Sequence, residues 1–181
     1  MPALVFPILV INILGAETNA YFYIAWAVGT IISGIPTAMA TSLFAEGSHD
    51  EQSLWLNVKR SLRAMALIMI PVVAIVILFA DKILWLFGNA YPENATTLLR
   101  IVVLSSLPLS INIIYLFVKR VRKDTRIIVG LPAVIMILGL GLAYLLMKEM
   151  SIDGVGYAWL FSQTAVALAV IISWIIRRGE R

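Results

Sequence analysis

The sequence of 181 residues has no cysteine, one histidine and few charges. The absence of cysteine excludes disulfides, thiolate catalysis and cysteine-ligated metal sites. His49 stands beside Ser48, Asp50 and Glu51 in a polar connection, where a solvated residue is expected, and no pair of carboxylates lies within an apolar run and no phosphate-binding glycine loop appears. We therefore expect a protein that is not an enzyme and needs no metal or other cofactor.

Charged residues are scarce because long apolar runs occupy most of the chain. Hydrophobic residues make up 61% of the sequence and charged residues 13%, with a mean hydropathy of +0.97. A soluble domain is roughly half apolar and about a quarter charged. Six runs lack Lys, Arg, Asp and Glu: Ala3–Leu14, Tyr21–Phe44, Ala64–Ala80, Ile101–Val118, Ile127–Met147 and Val155–Ile176. These runs predict an all-α, multi-pass transmembrane helix bundle of about six helices, forming a single domain over 1–181.

The first run is shorter than the others. About 17–25 apolar residues are needed to cross a bilayer, and the run over 3–14 has fewer and contains Pro7 and Asn12. A re-entrant segment, a signal peptide and a span whose start is missing all fit this length. No basic residue precedes the run, which disfavours the signal peptide. We expect a truncated span.

Basic residues are distributed unevenly between the two sides that alternate crossing would create. Eleven of the fourteen lie on one side: Lys59, Arg60, Arg63, Lys119, Arg120, Arg122, Lys123, Arg126, Arg177, Arg178 and Arg181. The other side holds Lys82, Arg100 and Lys148. Because loops rich in Lys and Arg stay cytoplasmic, we predict a cell-membrane protein with both termini in the cytoplasm. The net charge of +4 then indicates contact with anionic lipid rather than with nucleic acid.

The second run carries a stripe of small and hydroxyl-bearing residues at i, i+4 spacing. Its members are Ala25, Gly29, Ser33, Thr37, Thr41 and Ala45. Small residues allow helices to approach closely in lipid, so helix packing is one interpretation. A face that lines a polar cavity is the other. The sequence leaves both interpretations open.

Polar residues within other runs are further candidates for a cavity. Ser105 and Asn112 lie seven residues apart on one face of the fourth run, and Asn12 and Gln163 are isolated amides. A buried amide needs a hydrogen-bond partner, so a packing role in the bundle is the alternative. Arg100, just before the fourth run, is a candidate for attracting an anionic headgroup or for anchoring at the interface.

Short motifs along the chain resemble those of polysaccharide exporters, in particular O-antigen-type oligosaccharide-lipid flippases of the multidrug/oligosaccharidyl-lipid/polysaccharide exporter superfamily. The clearest is the stretch Ile83-Leu84-Trp85-Leu86-Phe87-Gly88-Asn89-Ala90-Tyr91 followed by Leu98-Leu99-Arg100-Ile101. Weaker matches are Leu43-Phe44-Ala45-Glu46-Gly47-Ser48, Gly154-Val155-Gly156-Tyr157-Ala158, and Ile13-Leu14-Gly15-Ala16 with Tyr21, where one glycine of the pattern is missing.

The resemblance implies a C-terminal half, that is, one six-helix lobe that rocks against a second lobe. Lipid-linked oligosaccharide would cross between the lobes by alternating access. The stripe residues Gly29, Ser33, Thr37 and Thr41 would face the central cavity, with Asn12, Ser105 and Asn112 as lesser candidates and Arg100 at its mouth. This chain departs from the family pattern in having no basic residue inside a run to hold the substrate diphosphate. The alternatives are a cation-coupled drug exporter of the same superfamily, and a non-transporting membrane subunit or inert truncated product.

Overall fold

The computed structural model describes residues 2–45 and 51–179, and all regular structure in those ranges is helical. The helices are α1 (Pro2–Leu14), α2 (Ala16–Ala45), α3 (Glu51–Leu78), α4 (Ala80–Trp85), α5 (Tyr91–Leu104), α6 (Ser106–Val121) and α7 (Thr125–Gly179). His49 lies outside the described residues.

Four stretches are long and apolar enough to cross a membrane: Ala16–Ser42, Val58–Leu78, Tyr91–Val121 and Thr125–Ile176. The last has 52 residues and is broken at Ser151, where the backbone is left-handed at φ 53°. It therefore forms two helices, 125–150 and 152–179. The apolar part of α1, Val5–Leu14, is shorter than the rest. The structure confirms the predicted all-α fold class with long apolar helices.

The connections between helices are short because single residues adopt conformations that reverse or bend the chain. Gly15 joins α1 to α2 with φ +89°, which side chains rarely allow. Residue 105 separates α5 from α6, and residues 122–124 separate α6 from α7. The segment between the third and fourth apolar runs is largely helical, since α4 and the start of α5 occupy it. Pro92 lies in the first turn of α5, where proline is well tolerated.

The fourth run is divided between α5 and α6 at Ser105, and Pro108 explains the division. Proline has no N–H to donate to the carbonyl four residues earlier, that of Leu104, and its ring clashes with that carbonyl. The Ser105 and Ser106 hydroxyls donate at 2.6 Å to the carbonyls of Val102 and Val103 in the last turn of α5. The regular helix is therefore interrupted at Ser105, which keeps helical torsion angles of φ −64° and ψ −16°, and it resumes as α6.

The pair α5–α6 lies at the centre of the bundle. It packs against α2, α3 and α7, and 61% of its most apolar stretch is buried, against 17–28% for the other long helices. An aromatic cluster joins α1, α2 and α7: Trp26 lies 5.1 Å from Phe6 and 5.8 Å from Trp159 between ring centres. Their positions in the sequence are typical of interfacial tryptophans, but Trp26 is 3% exposed and Trp159 8%. Both are core residues here.

At one end of the bundle a second apolar cluster gathers the ends of several helices. It contains Ala40, Val58, Met65, Ile114 and Val118, with Trp174 packed against it. The cluster thus joins the end of α2, the start of α3 and the ends of α6 and α7. Exposed Lys59 and Arg60 follow Val58, and Lys119 follows Val118. The basic segments that alternate crossing assigns to one side therefore lie at one end of the structure.

Candidate functional site

The stripe on α2 is divided by the structure into a packed half and an exposed half. Ala25 is fully buried, and Gly29 lies so close to α5 that a Cβ would overlap Cγ1 of Val102. The packing interpretation therefore applies to this half. Ser33 is half-buried, and its hydroxyl donates to the Gly29 carbonyl at 2.9 Å. The boundary between the two halves lies near Ser33.

The second half of α2 presents small and hydroxylated residues on the exterior of the bundle. We call this the hydroxyl surface; it comprises Gly34, Thr37, Ala38, Thr41 and Ser42, all of them exposed. The hydroxyls of Thr41 and Ser42 donate to the carbonyls of Thr37 and Ala38, at 2.8 and 3.3 Å. Since their protons are used within the helix, these hydroxyls offer mainly acceptor oxygens to anything outside.

An open cleft of about 390 Å³ adjoins the hydroxyl surface where α2 meets α3. It is lined by Ala38, Met39, Ser42 and Ala64. Elsewhere many large apolar side chains are exposed on the long helices, for example Leu67 at 76% exposure and Ile137 at 71%, and exposed small residues such as Ala74 and Gly141 carry no hydroxyl. The hydroxyl surface and its cleft therefore differ chemically from the exterior that would face lipid.

The two amides Asn112 and Gln163 meet inside the bundle. Nδ2 of Asn112 on α6 lies 2.8 Å from Oε1 of Gln163 and 3.0 Å from its backbone carbonyl on α7. Each residue is 1% exposed, and Oδ1 of Asn112 has no hydrogen-bond partner. The structure thus places Asn112 in a helix-to-helix hydrogen bond and away from the hydroxyl surface.

Ser105 and Asn12 are also separated from the hydroxyl surface. Ser105 is fully buried, with its hydroxyl bonded to Val102. Asn12 is exposed on α1, and its Nδ2 donates to the Ile8 carbonyl of the same helix at 2.6 Å. Of the predicted cavity residues, the structure therefore brings together Thr37 and Thr41, with Ser33 at their margin.

Arg100, within α5, connects this helix to the end of α3. Its side chain is exposed, and Nε donates at 3.0 Å to the carbonyl of Ile77 in the last turn of α3. Carbonyls at helix ends lack partners within the helix, so this bond satisfies one of them and joins α5 to α3. The predicted role in attracting an anionic headgroup stays a prediction.

Sequence reasoning missed an ion pair at the turn between α6 and α7. Lys119 Nζ lies 2.8 Å from Oδ2 of Asp124, with side-chain exposures of 8% and 34%. The hydrogen bond from Lys119, the opposite charge and the N–H of Ile127 hold the pKa of the Asp124 carboxyl below its ordinary value, against a smaller opposing effect of burial. This turn lies outside the apolar stretches. In the sequence, Asp124 is a single acid among five neighbouring basic residues, so nothing there indicated which of them it would pair with.

Within the described residues, no three His, Asp or Glu side chains lie together as a metal site would require. Asp153 is a second acid the sequence did not single out. It follows the break at Ser151 in α7, and its buried Oδ1 has no hydrogen-bond partner. It lies apart from the apolar runs and from the hydroxyl surface in sequence. We assign it no role.

Comparison with known proteins identifies the family. No curated protein and no solved structure matches the chain. The MatE family matches residues 7–145, a range that begins within α1, includes α2 to α6 with the hydroxyl surface and Arg100, and ends within α7. MatE proteins are membrane transporters of the exporter superfamily to which the sequence motifs point. Because the match covers more than half of the chain, this protein belongs to the MatE family of membrane exporters.

Proposed function

We propose that this chain is one helical lobe of an exporter that moves lipid-linked oligosaccharide across the cell membrane by alternating access. The observation that carries the proposal is the hydroxyl surface on α2. It is uncharged and carries several hydroxyl oxygens, whereas much of the remaining exterior of the described helices exposes large apolar side chains. Such a surface is suited to a polar space or to a closely packed second lobe rather than to lipid.

The chemistry of the surface favours a sugar over a cationic drug. Sugars are neutral and carry many hydroxyl groups, which can donate to the acceptor oxygens of Thr41 and Ser42. Cation-coupled drug exporters of this superfamily often use an acid within a span; the six apolar runs contain no Asp or Glu, and the half-buried acid Asp153 lies between the last two runs. The motif around Trp85 and Phe87, which resembles oligosaccharide-lipid flippases, supports the same cargo.

A second six-helix lobe is part of this proposal. The hydroxyl surface and the cleft beside it open outward, so a central cavity requires a facing partner. We propose that both termini lie in the cytoplasm, since the basic segments lie at one end of the bundle. A partner lobe related by an axis near the membrane normal would have the same orientation.

Cysteine accessibility tests whether the hydroxyl surface faces water. The chain has no cysteine, so Thr37→Cys and Thr41→Cys each create a unique thiol. In membranes we expect both to react with a membrane-impermeant maleimide, and added lipid-linked oligosaccharide should slow the reaction. Leu67→Cys is the control, because Leu67 is 76% exposed on the apolar side of α3 and should stay unlabelled. If none of the three thiols reacted with the maleimide, a cavity lined by this surface would be contradicted.

Complementation tests the cargo. We expect the chain, co-expressed with a partner lobe, to restore surface polysaccharide in a strain that lacks its oligosaccharide-lipid flippase. Restored drug resistance without restored polysaccharide would favour the drug exporter. If neither phenotype is rescued while both lobes are present in the membrane, the non-transporting subunit is the better interpretation.

A further inference from the structure

Three neighbouring large apolar side chains are exposed where α4 ends. Trp85 is 63% exposed, Leu86 77% and Phe87 48%; we call them the α4 tip. The opposite face of α4 is fixed in the bundle, because Ala80 and Leu84 are fully buried and α4 packs along α5. The tip is thus held outward by a well-packed helix. A partner for these side chains must come from outside the described residues.

The length of α3 indicates where the α4 tip lies. Between Arg63 and the end of α3, the uncharged residues 64–78 span about 22 Å at 1.5 Å per residue. The hydrocarbon core of a bilayer is ~30 Å thick, so this stretch ends before reaching the far boundary. Tilt of the helix would shorten its reach further. The segment that follows therefore starts about 8 Å inside the boundary, and residues 79–85, which can span about 10 Å as helix, are long enough to bring the α4 tip to the depth where acyl chains meet headgroups.

The charges around α4 fit a phospholipid surface at that depth. Lys82 is exposed, and its Nζ lies 5.2 Å from the centre of the Phe79 ring, whose side chain is 45% exposed. Arg100 is exposed on α5 and bonded to Ile77, two residues before Phe79. Cations beside aromatic and aliphatic side chains are typical of segments that lie in the membrane interface, where phosphate groups are the nearest anions.

We propose that α4 is an interfacial anchor that inserts Trp85, Leu86 and Phe87 into the acyl–headgroup boundary of the leaflet opposite the basic end of the bundle. Lys82 pairs with lipid phosphates beside the inserted side chains. The anchor sets the depth of α3 in the membrane and holds its end against α5. This role concerns the lipid surface and does not depend on the cargo.

Spin labels at two neighbouring sites test the proposal in the intact chain. Leu86→Cys places a nitroxide on the tip, and Asn89→Cys places one at an exposed polar position three residues later. In vesicles of phosphatidylcholine and phosphatidylglycerol, we expect the label at 86 to collide readily with oxygen and poorly with a water-soluble nickel chelate. The label at 89 should show the opposite pattern. Because Leu86 is 77% exposed, its replacement should leave the fold intact, which circular dichroism checks.

Two outcomes would overturn the anchor. If the nickel chelate collided with the label at 86 as readily as with the label at 89, the tip would lie in water. Low access of both oxygen and nickel at 86 would place it beneath another protein chain. A second readout uses brominated phospholipids: Trp85→Phe should remove a large part of the quenchable tryptophan fluorescence. Unchanged quenching in that variant would also contradict insertion.

Discussion

Asn112 on α6 donates one amide group to both the side chain and the backbone of Gln163 on α7, at 2.8 and 3.0 Å. Both residues are 1% exposed and lie among apolar helices. This pair joins the central helix to the second half of α7 at one specific register. A slide of either helix by one residue would leave two buried amides without partners, which is costly in an apolar interior.

Removing one partner of this pair should destabilise the bundle. Asn112→Leu should lower the free energy of unfolding by about 1 kcal/mol, because Gln163 is left unpaired while apolar packing is retained. Denaturation in mixed micelles measures the change. Asn12→Leu is the matched control, since Asn12 is exposed and bonds only to its own helix. In the double variant with Gln163→Leu, the loss in free energy of unfolding should be smaller than the sum of the losses in the two single variants. Losses that simply add would contradict the coupling.

Gly29 should tolerate no larger residue. Gly29→Ala places a Cβ against Val102, and overpacking of this kind costs about 1–3 kcal/mol. Val102→Ala in the same chain should recover part of the loss, which a thermal melt in detergent would show. Gly34→Ala is the control: a Cβ there meets nothing within 4 Å, so better helix propensity should keep or raise stability. Similar losses at both glycines would refute close packing at Gly29.

The Lys119–Asp124 pair should make stability depend on acid pH. Because the pKa of Asp124 is lower in the folded protein than its ordinary 3.8, the pair stabilises the fold at neutral pH. This stabilisation is fully present above pH 3.8, the ordinary pKa of the carboxyl, and is lost as the pH falls through the lower pKa that Asp124 has in the folded protein. Asp124→Asn should therefore lower Tm at pH 7 and approach the wild type below about pH 4. In a protein that already carries Lys119→Met, Asp124→Asn should lower Tm at pH 7 by less. If it lowered Tm equally in both backgrounds, the loss would not come from the pair.

The bond from Arg100 to α3 predicts a stability effect that is separable from transport. Arg100→Met should cost about 1 kcal/mol, the usual net value of one hydrogen bond, and should loosen the contact of α3 with α5. Hydrogen exchange of the last turn of α3 would report it. Arg60→Met makes the same charge change at an exposed site near the other end of α3 and should leave that turn unchanged. If transport falls while exchange at Ile77 does not change, a headgroup role is the better explanation.

Much of the fold follows from the apolar runs, because only helices satisfy every backbone group in lipid. Helix is found over each of the six runs. The extent of α5 was not predicted, since residues 91–100 are polar enough to resemble a loop, and their helix is stabilised by burial of Leu98 and Leu99. The burial of Trp26 was also not evident from the sequence. An aromatic residue near the end of a run suits either the interface or a core cluster, and only its neighbours decide between them.

By itself, the sequence determined that the chain forms apolar helices, that its basic segments alternate with those helices, and that α2 carries a regular line of small residues. Those properties are local or periodic, so composition and spacing suffice to predict them. Only the tertiary structure decided that Gly29 packs on Val102 while Thr37 and Thr41 stay exposed, and that Asn112 reaches Gln163. Helical spacing places residues on one face, but the tilt and the bend of neighbouring helices determine how far along that face the contact extends.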